Sequence, residues 1–149
     1  MIMITTNRTR IAAALTLAAV AALTFAGGGA ALASPAIPLT TGQETPAPTN
    51  GGAHGFFSYE IGEGELCYTL EVKGLTTPAV AAHVHLAPRN VPGPVVVPLV
   101  VENDTSFEVD TCVPADQAVL DAIASNPRAY YINVHTSMNT PGEVRGQLK

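Results

Sequence analysis

The sequence predicts an all-β fold, a Greek-key-like β-sandwich or flattened barrel with one short helix near the C-terminal third. Two observations lead there. About eight short segments, most of them alternating apolar and polar residues, recur at regular spacing between turns rich in Gly, Pro and Asn. Only one stretch, around Val119, Leu120 and Ile123, repeats at helical spacing.

The elements follow in order. Ile37-Pro38-Leu39-Thr40 is expected as an edge strand, where proline is tolerated, and Thr45 to Gly52 as loop. Gly55–Ile61 and Leu66–Val72 alternate cleanly around Gly62-Glu63-Gly64, so they predict a hairpin. After a turn at residues 74–78 comes Ala81-Ala82-His83-Val84-His85-Leu86-Ala87, then a stiff loop from Pro88 to Pro94. Pro98 interrupts the apolar run Val95–Val101, which places that strand at an edge or a bulge. A strand ends at Cys112. The helix is expected to carry Pro114 in its first turn and to stop at Asn126-Pro127, because the residue before proline avoids the helical region. Tyr130–Thr136 and Val144–Leu148 are the last strands, joined through the turn Asn139-Thr140-Pro141-Gly142.

The chain has 149 residues, and its first part reads as a targeting segment. Arg8 and Arg10 precede the apolar run Ile11–Ala26, Gly27-Gly28-Gly29 breaks it, and Ala31-Leu32-Ala33 offers a small-residue cleavage site. Residues 1–33 are thus expected to be a signal peptide, with an N-terminal strand and loop over 34–52 and one domain over 38–148. The run is shorter than the roughly 20 residues of a spanning helix, so no membrane span is expected after cleavage. Ser34–Lys149 keeps five basic residues against twelve acidic, a net charge of −7. Without a basic cluster in the sequence, nucleic acid and anionic lipid are not expected partners.

Export bears on Cys67 and Cys112, the only cysteines. An even pair in an exported chain most simply forms one disulfide. Both sit on the polar face of their strands, Cys67 with Glu65, Thr69 and Glu71, and Cys112 with Glu108 and Asp110. A soft metal site would need further sulfur or a nearby histidine in sequence, and neither is evident.

The histidines carry the remaining chemistry. Side chains on a strand alternate between faces. His83 and His85 therefore share the face opposite Val84 and Leu86, and Asn133 and His135 the face opposite Ile132 and Val134. Three imidazoles leaving the apolar side of one sheet, open to solvent, are able to converge on one ion, and imidazole suits copper and zinc. Asn133, Arg145 and Glu143 are the expected supporting residues around such an ion. The competing reading is structural: imidazoles that tie a loop over the sheet through carbonyls or carboxylates, with Glu143 and Arg145 forming an ion pair or pinning the last strand. His54 reads as a loop histidine, and Asn103-Asp104-Thr105 is a formal glycosylation triplet. No serine elbow, phosphate-cradling loop, calcium loop or free nucleophilic cysteine is present, so no catalytic residue is assigned.

Ala82-His83-Val84-His85, Gly93-Pro94-Val95-Val96-Val97-Pro98-Leu99, Tyr131-Ile132-Asn133-Val134-His135-Thr136 and Pro141-Gly142-Glu143-Val144-Arg145-Gly146-Gln147-Leu148 together resemble the chordin (CHRD) domain family. Gly42-Gln43-Glu44-Thr45-Pro46 resembles its opening motif, although Thr45-Pro46-Ala47-Pro48 replaces the usual double proline. The resemblance covers roughly Pro38 to Leu148 and implies an extracellular all-β module without enzymatic activity. In animal chordin the domain accompanies growth-factor-binding domains, which are not expected in these 149 residues, so growth-factor antagonism is not an expectation. A narrower resemblance joins His83-Val84-His85, Val134-His135 and a downstream arginine to the copper site of copper/zinc superoxide dismutases. It implies His83, His85 and His135 as copper ligands and Arg145 as an attractor of anions, but no bridging histidine or zinc set accompanies them.

The functional expectation is an exported CHRD-domain protein, a non-enzymatic binding or structural module whose partner is an unidentified protein or surface ligand, at the cell surface, in the periplasm or outside the cell. The alternative is a copper-binding protein, with dismutase-like redox chemistry as the one enzymatic possibility.

Overall fold

The computed structural model describes residues 36–149, so the expected signal peptide lies outside the described residues. The strands are β1 (Ile37–Thr40), β2 (His54–Ile61), β3 (Glu65–Lys73), β4 (Ala79–Leu86), β5 (Val95–Leu99), β6 (Phe107–Pro114), β7 (Tyr130–Thr136) and β8 (Val144–Gln147). They form one eight-stranded antiparallel sheet in the order β5-β4-β7-β8-β1-β2-β3-β6. The sheet is nearly closed, the flattened-barrel form of the predicted class.

Alternation builds the core. Phe57 and Tyr59 of β2, Leu66, Tyr68, Leu70 and Val72 of β3, Val84 of β4 and Ile132 and Val134 of β7 all point inward and are buried. The rings of Phe57 and Tyr68 pack 5.7 Å apart. The Tyr68 hydroxyl reaches past the rim, donating to the carbonyl of Val100 at 3.0 Å. The predicted hairpin pairs β2 with β3 from His54↔Lys73 to Ile61↔Leu66, and Gly64 supplies the positive φ its turn requires.

Among the described residues one α-helix, α1 (Gln117–Ser125), buries Leu120 and Ile123. Its start differs from the expectation. Pro114 is the last residue of β6, and Asp116 caps the helix, its carboxylate accepting from the Ala118 N–H at 2.7 Å. A carboxylate at the cap satisfies an otherwise free amide and faces the positive end of the helix, which a first-turn proline does not do. The helix stops at Asn126, before Pro127, as the sequence predicts.

Strand β1 is also placed differently. It is central in the sheet, between β8 and β2, and not an edge. Proline survives there because the strand pairing with β8, unlike the packing, is limited to one register pair, Thr40↔Arg145. Beside it β8 runs close, and a Cβ at Gly146 would come within 2.8 Å of the Pro38 carbonyl oxygen. Pro98 behaves as expected: β5 is an edge strand, and its pairing with β4 slips between Val84↔Val97 and His85↔Val95.

Cys67 and Cys112 lie directly opposite one another on β3 and β6 and form the disulfide, with an S–S distance of 2.04 Å. Among the described residues no helix is long and apolar enough to cross a membrane.

Candidate metal centre

Pairing of β4 with β7 sets His83 against Asn133, His85 against Tyr131, and Ala81 against His135. On the inner face Val84, Ile132 and Val134 are fully buried. The outer face therefore collects His83, His85 and His135, and one nitrogen from each lies within 4.8 Å of the others. The sequence predicted this convergence of parity. It also predicted an open surface, and that is corrected here. His85 is 7% exposed and Asn133 1%, while His83 and His135 are half-buried. The connections after β4 and β7 fold back over this face, because their backbone carbonyls find donors among its side chains.

Those bonds fix the rings. His85 Nδ1 lies 2.8 Å from the Gly93 carbonyl oxygen, and His135 Nδ1 lies 2.9 Å from that of Thr140. A carbonyl only accepts, so each Nδ1 carries the proton and each Nε2 keeps a lone pair. His135 Nε2 accepts from His83 Nδ1 at 3.1 Å. His85 Nε2 is buried with no hydrogen-bond partner among the described residues. Burial lowers the affinity of all three rings for protons. His83 is pulled down to about 4, by burial first and then by its neighbours His135 and His85. His85 and His135 fall in the same direction, burial outweighing the carbonyls and, at His85, the neighbouring Asn133 amide, which favour the charged forms. Three neutral imidazoles thus stand together, with the His85 lone pair free and that of His135 taken by the His83 N–H.

The supporting residues divide. Asn133 lies in the cluster, donating to the Pro141 carbonyl at 3.1 Å, with its own Oδ1 buried and unpartnered. Tyr131 stacks on His85, with centroids 4.7 Å apart and planes within 5°. The Arg145 guanidinium sits 3.3 Å from the centre of the same Tyr131 ring. Its NH groups donate to Val91 O at 3.1 Å and Pro88 O at 3.0 Å. Arg145 is only 1% exposed, so it fastens the loop over the site and has no face left to attract an anion. That corrects the role implied by the dismutase resemblance.

Glu143 is elsewhere. Its carboxylate accepts from the Thr76 N–H and hydroxyl, the Thr136 hydroxyl and the Asn139 amide, at 2.7 to 2.9 Å. These four bonds hold the group charged, below its ordinary range, against the opposing effect of burial. It ties the turn before β4 to the end of β7, and among the described residues it pairs with no arginine and makes no hydrogen bond to the histidines.

Two residues of the region were not assigned from sequence. Glu44 is buried beside Asn133, its Oε1 unpartnered and its pKa raised by burial. Gly142, at φ 140°, leaves the room it needs, since a Cβ there would overlap the Glu44 carboxylate. Gln147 donates from Nε2 to Ala87 O, Arg128 O and Tyr130 O, joining both connections to β8. Glu44 directly follows the 3₁₀ turn Thr41–Gln43, where alternation gives no signal; only its place in the Gly42–Pro46 motif marks it. A second group, Glu65, Cys67 and Cys112, also brings its atoms together, but its sulfurs are spent in the disulfide.

No curated protein and no solved structure matches the chain. The dismutase resemblance consequently rests on the histidine motif alone. The family model of the CHRD domain matches residues 36–148, spanning the barrel from before β1 to the end of β8. The histidine strand, its partner strand and the loops over them all fall inside that match, and the chain belongs to the CHRD domain family.

Proposed function

We propose that this protein is an exported CHRD module that holds one transition-metal ion, copper or zinc, between β4 and β7. His83 Nδ1, His85 Nε2 and His135 Nε2 are the ligands. The observation that carries this reading is the buried His85 Nε2, a lone pair with no donor, facing a cluster whose nitrogens already lie within 4.8 Å. Nitrogens sharing an ion at about 2.0–2.1 Å stand closer together than that, so modest ring rotations suffice. Gly93 O and Thr140 O hold two of the rings from behind, as carbonyls do for ligating histidines. His83 must give up its bond to His135 and move its proton to Nε2.

The ion would act as a clamp joining two strands and two loops, which suits a binding or structural module better than an enzyme. Export is supported by the disulfide and the family. Dismutase-like turnover is disfavoured because Arg145, the residue that resemblance assigns to substrate, is occupied by the loop.

The test is titration of the metal-free mature protein with Cu²⁺ and Zn²⁺, followed by elemental analysis. One ion per chain is expected, lost in a His83→Ala, His135→Ala double variant. Equal stoichiometry and affinity in both proteins would overturn the reading and favour the structural one, in which the His83–His135 hydrogen bond is the purpose of the pair. Robust superoxide consumption by copper-loaded protein would overturn the non-enzymatic part.

A further inference from the structure

The described region holds five basic residues, Lys73, Arg89, Arg128, Arg145 and Lys149. Lys73 is paired with Glu71, and Arg145 is buried under its loop. The other three are exposed, and all of them line a single pocket of about 370 Å³ together with Gln147 and Leu148. Among the described residues none of the three has a carboxylate partner, the only ion pair being Lys73–Glu71.

This gathering is built by the fold. Arg89 is on the loop after β4, Arg128 follows α1, and Lys149 follows β8, so the chain brings three distant segments to one corner. The Gln147 amide fastens two of them, donating to Ala87 O and to Arg128 O at 2.9 Å each. Like charges held together repel, so gathering them at one corner has an electrostatic cost.

We propose that the pocket binds a compact organic anion through a carboxylate, phosphate or sulfate group. Two guanidinium forks match the paired oxygens that all three groups present. A long polyanion is excluded by the rest of the molecule. Apart from Glu44 and Glu143, the acidic residues lie on β2, β3, β6, α1, the connections among β2, β3, β5 and β6, and the connection from β6 to α1, and they repel an extended negative chain. None of the three histidines lines this pocket, although Arg89 lies on the loop that covers them.

The experiment is titration of the metal-free mature protein at low ionic strength with citrate, inorganic phosphate and heparin, followed by calorimetry and amide chemical shifts. Saturable binding of citrate or phosphate is expected, with shifts at Gln147 and Leu148; the tighter of the two assigns a carboxylate or a tetrahedral group. An Arg89→Ala, Arg128→Ala double variant should weaken binding at least tenfold, and Arg128→Gln alone severalfold, while Lys73→Ala leaves it unchanged. The single variant removes one exposed side chain and keeps the test valid if the double variant unfolds. Absence of saturable binding, an equal loss in Lys73→Ala, or tighter binding of heparin than of citrate would overturn the proposal.

Discussion

Acid should loosen the metal-free protein well above the carboxylate range, and His83 is the principal cause. In the folded chain its pKa lies at about 4, against an ordinary value of 6.5. A histidine depressed in this way binds protons more readily once unfolded. Its contribution is present above the unfolded pKa and is lost as pH falls from about 6.5 towards 4. Between about pH 7 and pH 5 the full shift corresponds to ~2 kcal/mol. Half-burial leaves the ring partly screened by water, which reduces this to about 1 kcal/mol. Glu143 does not intrude, because a depressed carboxylate loses its contribution only below its ordinary value of 4.5. Glu44 acts oppositely, its raised pKa making acid favourable to folding. Urea unfolding at the two pH values, in wild type and in His83→Gln, isolates the effect. The wild type should lose about 1 kcal/mol more than the variant. The same pH slope in both proteins would refute the reasoning.

Further outcomes follow from the same contacts. Glu143→Gln leaves donors facing an amide where four met a charge, and should cost about 2–4 kcal/mol in urea unfolding; a loss below ~0.5 kcal/mol would mean the turn before β4 is held otherwise. Gly93→Ala would drive a Cβ into the Leu86 carbonyl and shift the oxygen that orients His85. Metal affinity, read by competition titration, should then fall about 10–100-fold. Replacing both cysteines by serine opens a loop of 45 residues and should cost up to about 4 kcal/mol on the chain-entropy account, measured by calorimetry. An unchanged melting temperature would show that the crosslink does not restrict the unfolded chain and that β3 and β6 are held by their ladder alone.

Much of the barrel was legible because its strands obey alternation. His83-Val84-His85 and Asn133-Val134-His135 declare their faces in the sequence, and Cys67 and Cys112 declare theirs. What alternation lacks is knowledge of the connections. It left the outer face open to water, whereas the loop from Ala87 to Pro94 covers it, held by Arg145 and Gln147 through carbonyls that any residue possesses. It gave Glu143 the side of Arg145, but a residue just ahead of β8 is not bound by the pleat, and it turns to Thr76 and Asn139. Pro38 suggested an edge for a similar reason: the pattern shows that a strand lacks a donor, not that its neighbour meets it at one residue.

The insertion of β8 between β7 and β1 has a kinetic consequence. Thr40 and Arg145, which meet at that seam, stand over a hundred positions apart in the chain, so closing it is the costliest chain-entropy step of assembly. Hairpin β2–β3 has every means to form early, while the cylinder remains gaping until its final strand arrives as a keystone. Amides along β8 should accordingly gain protection last in pulsed exchange, and the histidine chamber, whose covering loop is held by side chains of that strand, should mature only with it.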